Sequence, residues 1–457
     1  MNSTRRQSGR RRAVLVGVVV VALAAVGAGG RFGAHAAGLL VDGGAPTAPS
    51  GLYAAEDEGA GVVDPALGPG PYPELSPDAV SGALADAGLD PSWAVSVRDP
   101  TSGDEVFDQN GGQAIIPASN LKLMTTTSLL DAVGADTRWT TSVVAEPDGG
   151  YALVGGGDPL LASTESAYHG EGPRPATSQE LAERTARALS AQGVTSISLG
   201  YDESLFTGPT RHPDWSEGDM EYVNDVSALT IDQGDDSGDS GAAAARTFAE
   251  QLTAAGITVD GEPTARTADG SARTVAQVES LPLSQIVQLC LRHSDNAIAE
   301  NLLRHLAIAQ GLPADFDGGV AALEQRMRAL GVWSDADSLH DGSGLSGNNR
   351  LTSDTLSRIV VVAAGSDDMR AGLAGMPVAA ATGSLETRYL DSSSSAGAGL
   401  VRAKTGTLDV ASTLTGYTPT ADGSIAVFTI VINGAGTEAR PFLDRLAAAL
   451  AGCRCAA

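Results

Sequence analysis

The sequence predicts a mixed fold of the α/β (α+β) class, an antiparallel sheet flanked by helices with an accessory domain inserted into it. Three observations carry this expectation. Strand patterns over 401–408, 412–417 and 424–433 follow one another through tight turns, which is antiparallel connectivity. Helical spacing of Leu121, Met124, Leu129 and Leu130, closed by Gly134, lies far upstream, and a helix over 439–451 ends the pattern. Between these parts, residues 138–280 contain strands and helices of their own, enough for a separate domain.

Taken from the start, the chain opens on Arg5, Arg6, Arg10, Arg11 and Arg12, followed by an uncharged, mostly apolar run over 13–30. This is an export signal. Ala34-His35-Ala36 offers a small-x-small cleavage site, and the run is also just long enough to stay as an anchor. Residues 1–36 are therefore expected to be a signal peptide or an amino-terminal membrane anchor, with the remainder exported, either secreted or held on the outer face of the cytoplasmic membrane. Residues 37–75, rich in Gly, Ala, Pro and acidic side chains without periodicity, are expected to be a flexible linker.

The folded body is expected over 76–137 and 281–457. A short helix (77–87) and two strands (93–97 and 105–107) lead into the helix that follows Pro117, with Ser119 as its capping residue. Inside 138–280 come strands at 142–145 and 151–154, a Gly155-Gly156-Gly157-Asp158-Pro159 turn, a helix over 178–192, a strand ending at Asp202, an acidic loop over 232–241 and a helix over 242–255. The glycine turn lacks the Gly-Lys-Ser/Thr that a phosphate loop requires.

Composition excludes several functions. A net charge of −26 and a pI near 4.4 lack the basic footprint that nucleic-acid binding needs. The six histidines and three cysteines fall into no metal-ligand spacing, so neither metal nor cofactor is expected. Cys290 lies in an apolar helical pattern, and Cys453 and Cys455 are too close in sequence for an easy mutual bridge, so no disulfide is expected.

The chemistry is carried by three short motifs. Ser119-x-x-Lys122 sets a hydroxyl and an amine on one helix face, where a neutral amine can take the serine proton as the oxygen attacks a carbonyl. Lys122 and Lys404 are the only lysines among the 29 basic residues. Arginine serves ordinary cationic roles and stays protonated, whereas lysine can lose its proton in a desolvated site. Downstream, Ser294-Asp295-Asn296 interrupts two helical stretches. Read blandly it is a helix cap. Read functionally, Ser294 relays a proton between Lys122 and a leaving amine while the Asn296 amide binds the substrate backbone. Lys404-Thr405-Gly406-Thr407 lies on a strand, where one ammonium and two hydroxyls can receive a carboxylate. Gly406 lets the strand approach a ligand closely, and the Thr407 N–H can join the Ser119 N–H as an oxyanion hole.

In the order Ser-x-x-Lys, Ser-x-Asn, Lys-Thr-Gly, the set resembles the penicillin-binding, active-site serine DD-peptidases. The long first gap is similar to the D-alanyl-D-alanine carboxypeptidase/endopeptidase subgroup (peptidase S13-like) that carries an insert there. Asp202-Glu203-Ser204-Leu205-Phe206, Asp341-Gly342-Ser343-Gly344-Leu345-Ser346 and Ala381-Thr382-Gly383-Ser384-Leu385 also look like that subgroup. The resemblance implies a β-lactamase/transpeptidase-like body with a helical lobe. It further implies an acyl-enzyme on Ser119, peptidoglycan stem peptides as substrate and acylation by β-lactams. Two alternatives stand beside it: a secreted serine β-lactamase and a non-catalytic β-lactam- or peptidoglycan-binding module. No Glu after Ser119 has the Asn four residues on that class A β-lactamases use to position the deacylating water. The three intact motifs speak against an idle relative.

Overall fold

A computed structural model describes residues 67, 68, 70–168, 170, 172–234 and 239–457. The expected signal segment and most of the expected linker lie outside the described residues, as does part of the acidic loop over 232–241.

Five strands, β1 (Ala94–Arg98), β2 (Glu105–Gln109), β3 (Arg402–Leu408), β4 (Ala411–Pro419) and β5 (Ile425–Asn433), form one antiparallel sheet in the order β3-β4-β5-β1-β2. The amino-terminal hairpin is thus added to a carboxy-terminal meander. Alternation along β5 decides what covers each face. Ala426, Phe428, Ile430 and Ile432 join a core with Leu443, Leu446 and Leu450 of the last helix. Val427 and Val431 turn to the other side and join a larger core built on Leu121, Met124, Leu129, Ile286, Leu302 and Leu303. Each of these side chains larger than alanine, fully removed from water, contributes about 1.5–3 kcal/mol.

Four helices matter for the site: α1 (Leu121–Val133), α2 (Leu283–His293), α3 (Asn296–Ala309) and α4 (Arg440–Gly452). The helix α1 is buried from Leu121 to Leu130, Lys122 and the polar run Thr125 to Ser128 included, as befits an element enclosed between a sheet and other helices. It ends at Gly134, which takes φ 84°.

A second sheet is built wholly from strands between Thr140 and Glu279 and is mixed. Helices Ser178–Ser190 and Ser240–Ala254 cover it through Leu181, Leu189, Phe248 and Leu252.

Two expectations fail at the ends of the body. Order reaches into the supposed linker, where Leu67 is fully buried and Leu75 pairs with Ala456; Ser76 N donates to Cys455 O at 2.7 Å and Ala457 N to Glu74 O at 2.8 Å. Cys453 and Cys455 form a disulfide. Their Cα atoms stand 5.4 Å apart, closer than two fully extended residues would set them, because the chain bends at Cys453 where α4 ends, and this lies within the span a disulfide bridges. Sequence proximity alone was the wrong criterion. Cys290 is free and buried, as its apolar pattern suggested.

Candidate active site

Ser119 does not cap α1. It sits in a single turn of 3-10 helix, Ala118–Asn120, and the N-cap position of α1 belongs to Asn120, whose side chain makes no capping bond. Instead the Asn120 amide donates across to Thr415 Oγ1 of β4 at 2.9 Å, and Thr413 Oγ1 donates to Pro117 O at 3.0 Å. The turn is therefore tied to the sheet by two polar contacts. Ala118 adopts φ 46°, a conformation unfavourable for a residue with a Cβ. Two glycines make room for it. A Cβ on Gly344 would meet Ala118 O at 1.9 Å, and a Cβ on Gly406 would meet Pro117 O at 2.9 Å and Ala118 Cβ at 3.0 Å. Gly406 thus brings its strand close to the turn that carries Ser119.

One turn on, the Lys122 amine meets three oxygens: Ser119 Oγ at 2.9 Å, Asn296 Oδ1 at 2.5 Å and the carbonyl of Ser343 at 2.8 Å. The side chain is fully buried. Burial lowers the Lys122 pKa, opposed by the acidic groups around it, Cys290, Asp341, Glu300 and Asp295. Two of the three partners are carbonyl oxygens, which only accept. A neutral amine has two N–H bonds and one lone pair, so the two carbonyls take the N–H bonds. The lone pair is left for the one partner that has a proton to give, Ser119.

The second motif caps a helix and also lines the cleft, with the Asn296 amide engaged by the protein itself. The helix α2 ends at His293, Ser294 takes φ 59°, and Asp295 caps α3 by accepting from Ile298 N at 2.9 Å. The middle residue does the capping, and the two-residue break turns Ser294 and Asn296 toward the cleft. The Asn296 amide is held at both ends, its Oδ1 by Lys122 and its Nδ2 donating to the carbonyl of Tyr222 at 2.9 Å. Cys290 lies beneath, its thiol pushed up to about 12 by burial, which removes it as a competing nucleophile.

In the third motif Lys404 is also fully buried. Its amine donates to Ser294 Oγ at 2.8 Å and to Thr405 O at 2.7 Å. Burial first, then repulsion from Lys122, holds its pKa well below the ordinary lysine value. Strand β3 is the edge of its sheet. Ala403 N points outward, donating to Pro377 O at 3.0 Å, and antiparallel alternation sends the N–H groups of Thr405 and Thr407 to the same side. Thr405 Oγ1 shares a hydrogen bond of 2.6 Å with Ser384 Oγ. The three motifs converge on one open cleft of about 980 Å³, lined by Ser119, Ser294, Asn296, Thr405 and Thr407 among others.

Sequence reasoning missed five contributors. Glu300 is fully buried on α3 and accepts from Gly342 N and Ser343 N at 2.7–3.1 Å, shaping the loop whose Ser343 carbonyl grips Lys122. An acidic residue among Ile298, Leu302 and Leu303 was the available signal. Tyr222, exposed on the cleft rim, belongs to a strap docked by Asp214, which contacts His340 Nδ1 and Ser346 Oγ at 2.8 Å, and by Trp215, whose Nε1 donates to Asp341 at 3.0 Å. Arg440 also lines the cleft.

Burial, then repulsion from Asp341, pushes the Glu300 carboxyl up to about 8. Between its ordinary 4.5 and that value the folded chain keeps a proton that the unfolded chain has released, so this group's contribution to stability falls as pH rises through that window. Glu300→Gln, neutral throughout, should flatten the fall. Tm measured at about pH 5 and about pH 8 will differ less in the variant than in the wild type; an unchanged difference would show that Glu300 is ionised in the fold.

The sequence model of the D-Ala-D-Ala carboxypeptidase 3 (S13) family matches residues 77–239 and 235–450 of the chain. The chain is 33% identical over 400 residues to a carboxypeptidase of Mycobacterium tuberculosis, covering 82% of this chain and 84% of the relative. It is 32% identical over 479 residues to the carboxypeptidase DacB of Mycolicibacterium smegmatis, covering 100% of each. The crystal structure of penicillin-binding protein 4 (dacB) from Haemophilus influenzae matches with a TM-score of 0.67 at 21% identity, over 81% of this chain and 97% of that one, a likeness of fold.

Proposed function

The chain belongs to the D-Ala-D-Ala carboxypeptidase 3 (S13) family and is a serine-type carboxypeptidase, and from this premise we propose how its residues divide the reaction on peptidoglycan stem peptides. Ser119 Oγ attacks the carbonyl between two D-alanine-type residues. Lys122 takes the serine proton, and the observation that carries this assignment is the pair of obligate acceptors, Asn296 Oδ1 and Ser343 O, that aim its lone pair at Ser119. Preorganised N–H groups of Ser119 and Thr407 receive the developing oxyanion. The proton that Lys122 has taken passes by way of the Ser294 hydroxyl, which is bonded to Lys404, to the departing nitrogen, so that Ser294 gives one proton and receives one. D-alanine leaves, and water hydrolyses the ester on Ser119.

β-Lactams carry an amide and a carboxylate in the same relation, so penicillin acylates the same oxygen. Its ring-opened portion stays tethered and obstructs water, whereas D-alanine diffuses away. Endopeptidase action on cross-linked peptides needs only that the cleft, open along the edge of β3, accept a longer leaving group. The arginine-rich start and the apolar run after it support export of the folded part; no helix among the described residues is long and apolar enough to cross a membrane.

The test follows D-alanine release from a stem peptide together with decay of the penicilloyl adduct by intact-mass spectrometry. Release with an adduct that persists is expected, each 1.36 kcal/mol of added barrier slowing deacylation about tenfold. Rapid penicillin turnover without D-alanine release would assign the site to a β-lactamase.

A further inference from the structure

We propose that Arg440 is the anchor for the free terminal carboxylate of the substrate, and so the residue that favours substrates ending in an acid over those whose terminus is capped. This rests on the reading of the cleft as a D-Ala-D-Ala carboxypeptidase site. The sequence alone pointed to Lys404 for this part, but its amine is enclosed and spent on Ser294 Oγ and Thr405 O. Lys122 is enclosed in the same way.

Arg440, the first residue of α4, is exposed and lines the cleft. Its Nε and Nη2 both donate to Thr407 Oγ1, at 3.4 and 3.3 Å, which sets the guanidinium beside the last residue of the Lys-Thr-Gly-Thr run. No carboxylate lies in ion-pair reach of it among the described residues. Asp444, one turn on in α4, is taken by Arg388 at 3.0 and 2.5 Å. A guanidinium has five N–H donors in a planar fork matched to a carboxylate, and the long contacts to one hydroxyl leave most of that capacity unused.

The remaining ionic groups of the cleft lining sharpen the point. Asp219, Glu221, Asp409 and Glu438 are acidic. A substrate carboxylate is repelled by these four and attracted to the one guanidinium among them. Beside Arg440, the outward N–H groups of Thr405 and Thr407 supply further donors on the same strand edge. The hydroxyl of Thr407 then acts as the hinge that holds the guanidinium in place before substrate arrives.

The experiment compares two substrates: a stem-type peptide ending in D-Ala-D-Ala as the free acid, and the same peptide as its terminal amide. Wild type, Arg440→Ala and Arg440→Lys are measured on both. Wild type should prefer the acid. Arg440→Ala should lower kcat/KM on the acid by about ten- to a hundredfold, the range for losing hydrogen bonds to a charged group, chiefly through KM, and leave the amide nearly unchanged. The acid-to-amide ratio then collapses, and Arg440→Lys should restore part of it. A merely structural role would lower both substrates alike, so an unchanged ratio in Arg440→Ala overturns the proposal, as does a wild type with no preference for the acid. A wild type that releases no D-alanine from the acid would overturn the carboxypeptidase reading itself, and this proposal with it.

Discussion

Ser119→Ala should lose the penicilloyl adduct completely and reduce D-alanine release by about 10⁴-fold or more, the scale on which removing a nucleophile acts. The structure leaves no substitute. The Ser294 hydroxyl is bonded to Lys404, and no hydrogen bond joins it to Lys122 among the described residues; the Cys290 thiol is buried and held protonated. The substitution removes one oxygen from a turn fixed by Asn120, Thr413, Gly344 and Gly406, so folding should be unaffected. Intact-mass spectrometry after penicillin treatment decides the matter, and an adduct that survives in the variant would place the nucleophile elsewhere.

The two lysines should respond differently to the same substitution. Lys122→Arg should reduce acylation by about 10²–10⁴-fold, the contribution of a general base. A guanidinium does not deprotonate at working pH, and its planar fork cannot reproduce three contacts converging on one nitrogen. Lys404→Arg keeps the positive charge, so acylation should be slower yet measurable, with the loss set by how well the larger group fits between Ser294 Oγ and Thr405 O. Pre-steady-state acylation by penicillin separates the outcomes. Wild-type rates in Lys122→Arg would remove Lys122 from its role as base.

The helix over 121–133, the strands of the meander and the three motifs were legible in the sequence because they obey local rules: period, capping and turn chemistry. What was illegible depends on partners distant in sequence. Ser119 looked like the cap, whereas Asn120 takes that position and turns its side chain to Thr415 on the sheet. Gly406 also admits the Pro117–Ala118 turn, a contact that no local pattern announces. Lys404 offered a charge in a chain nearly free of lysine, but only the fold shows that this charge is spent inside the protein. The bridge between Cys453 and Cys455 depended on the bend in the backbone where α4 ends, which spacing does not reveal. Arg440 carried no motif at all, since its meaning comes from standing next to Thr407.

The strand order β3-β4-β5-β1-β2 has a consequence in time. Ala94 pairs with Val431, so β1 has no neighbour on one side until nearly the whole chain has been made. At the ~5–20 residues per second typical of synthesis, that delay is on the order of half a minute. The turn bearing Ser119 waits as long for the strand of Gly406. A ribosome-bound chain therefore carries no assembled cleft, and any shortened product that lacks β5 leaves the Val95 and Val97 strand with a bare edge open to pairing with other chains.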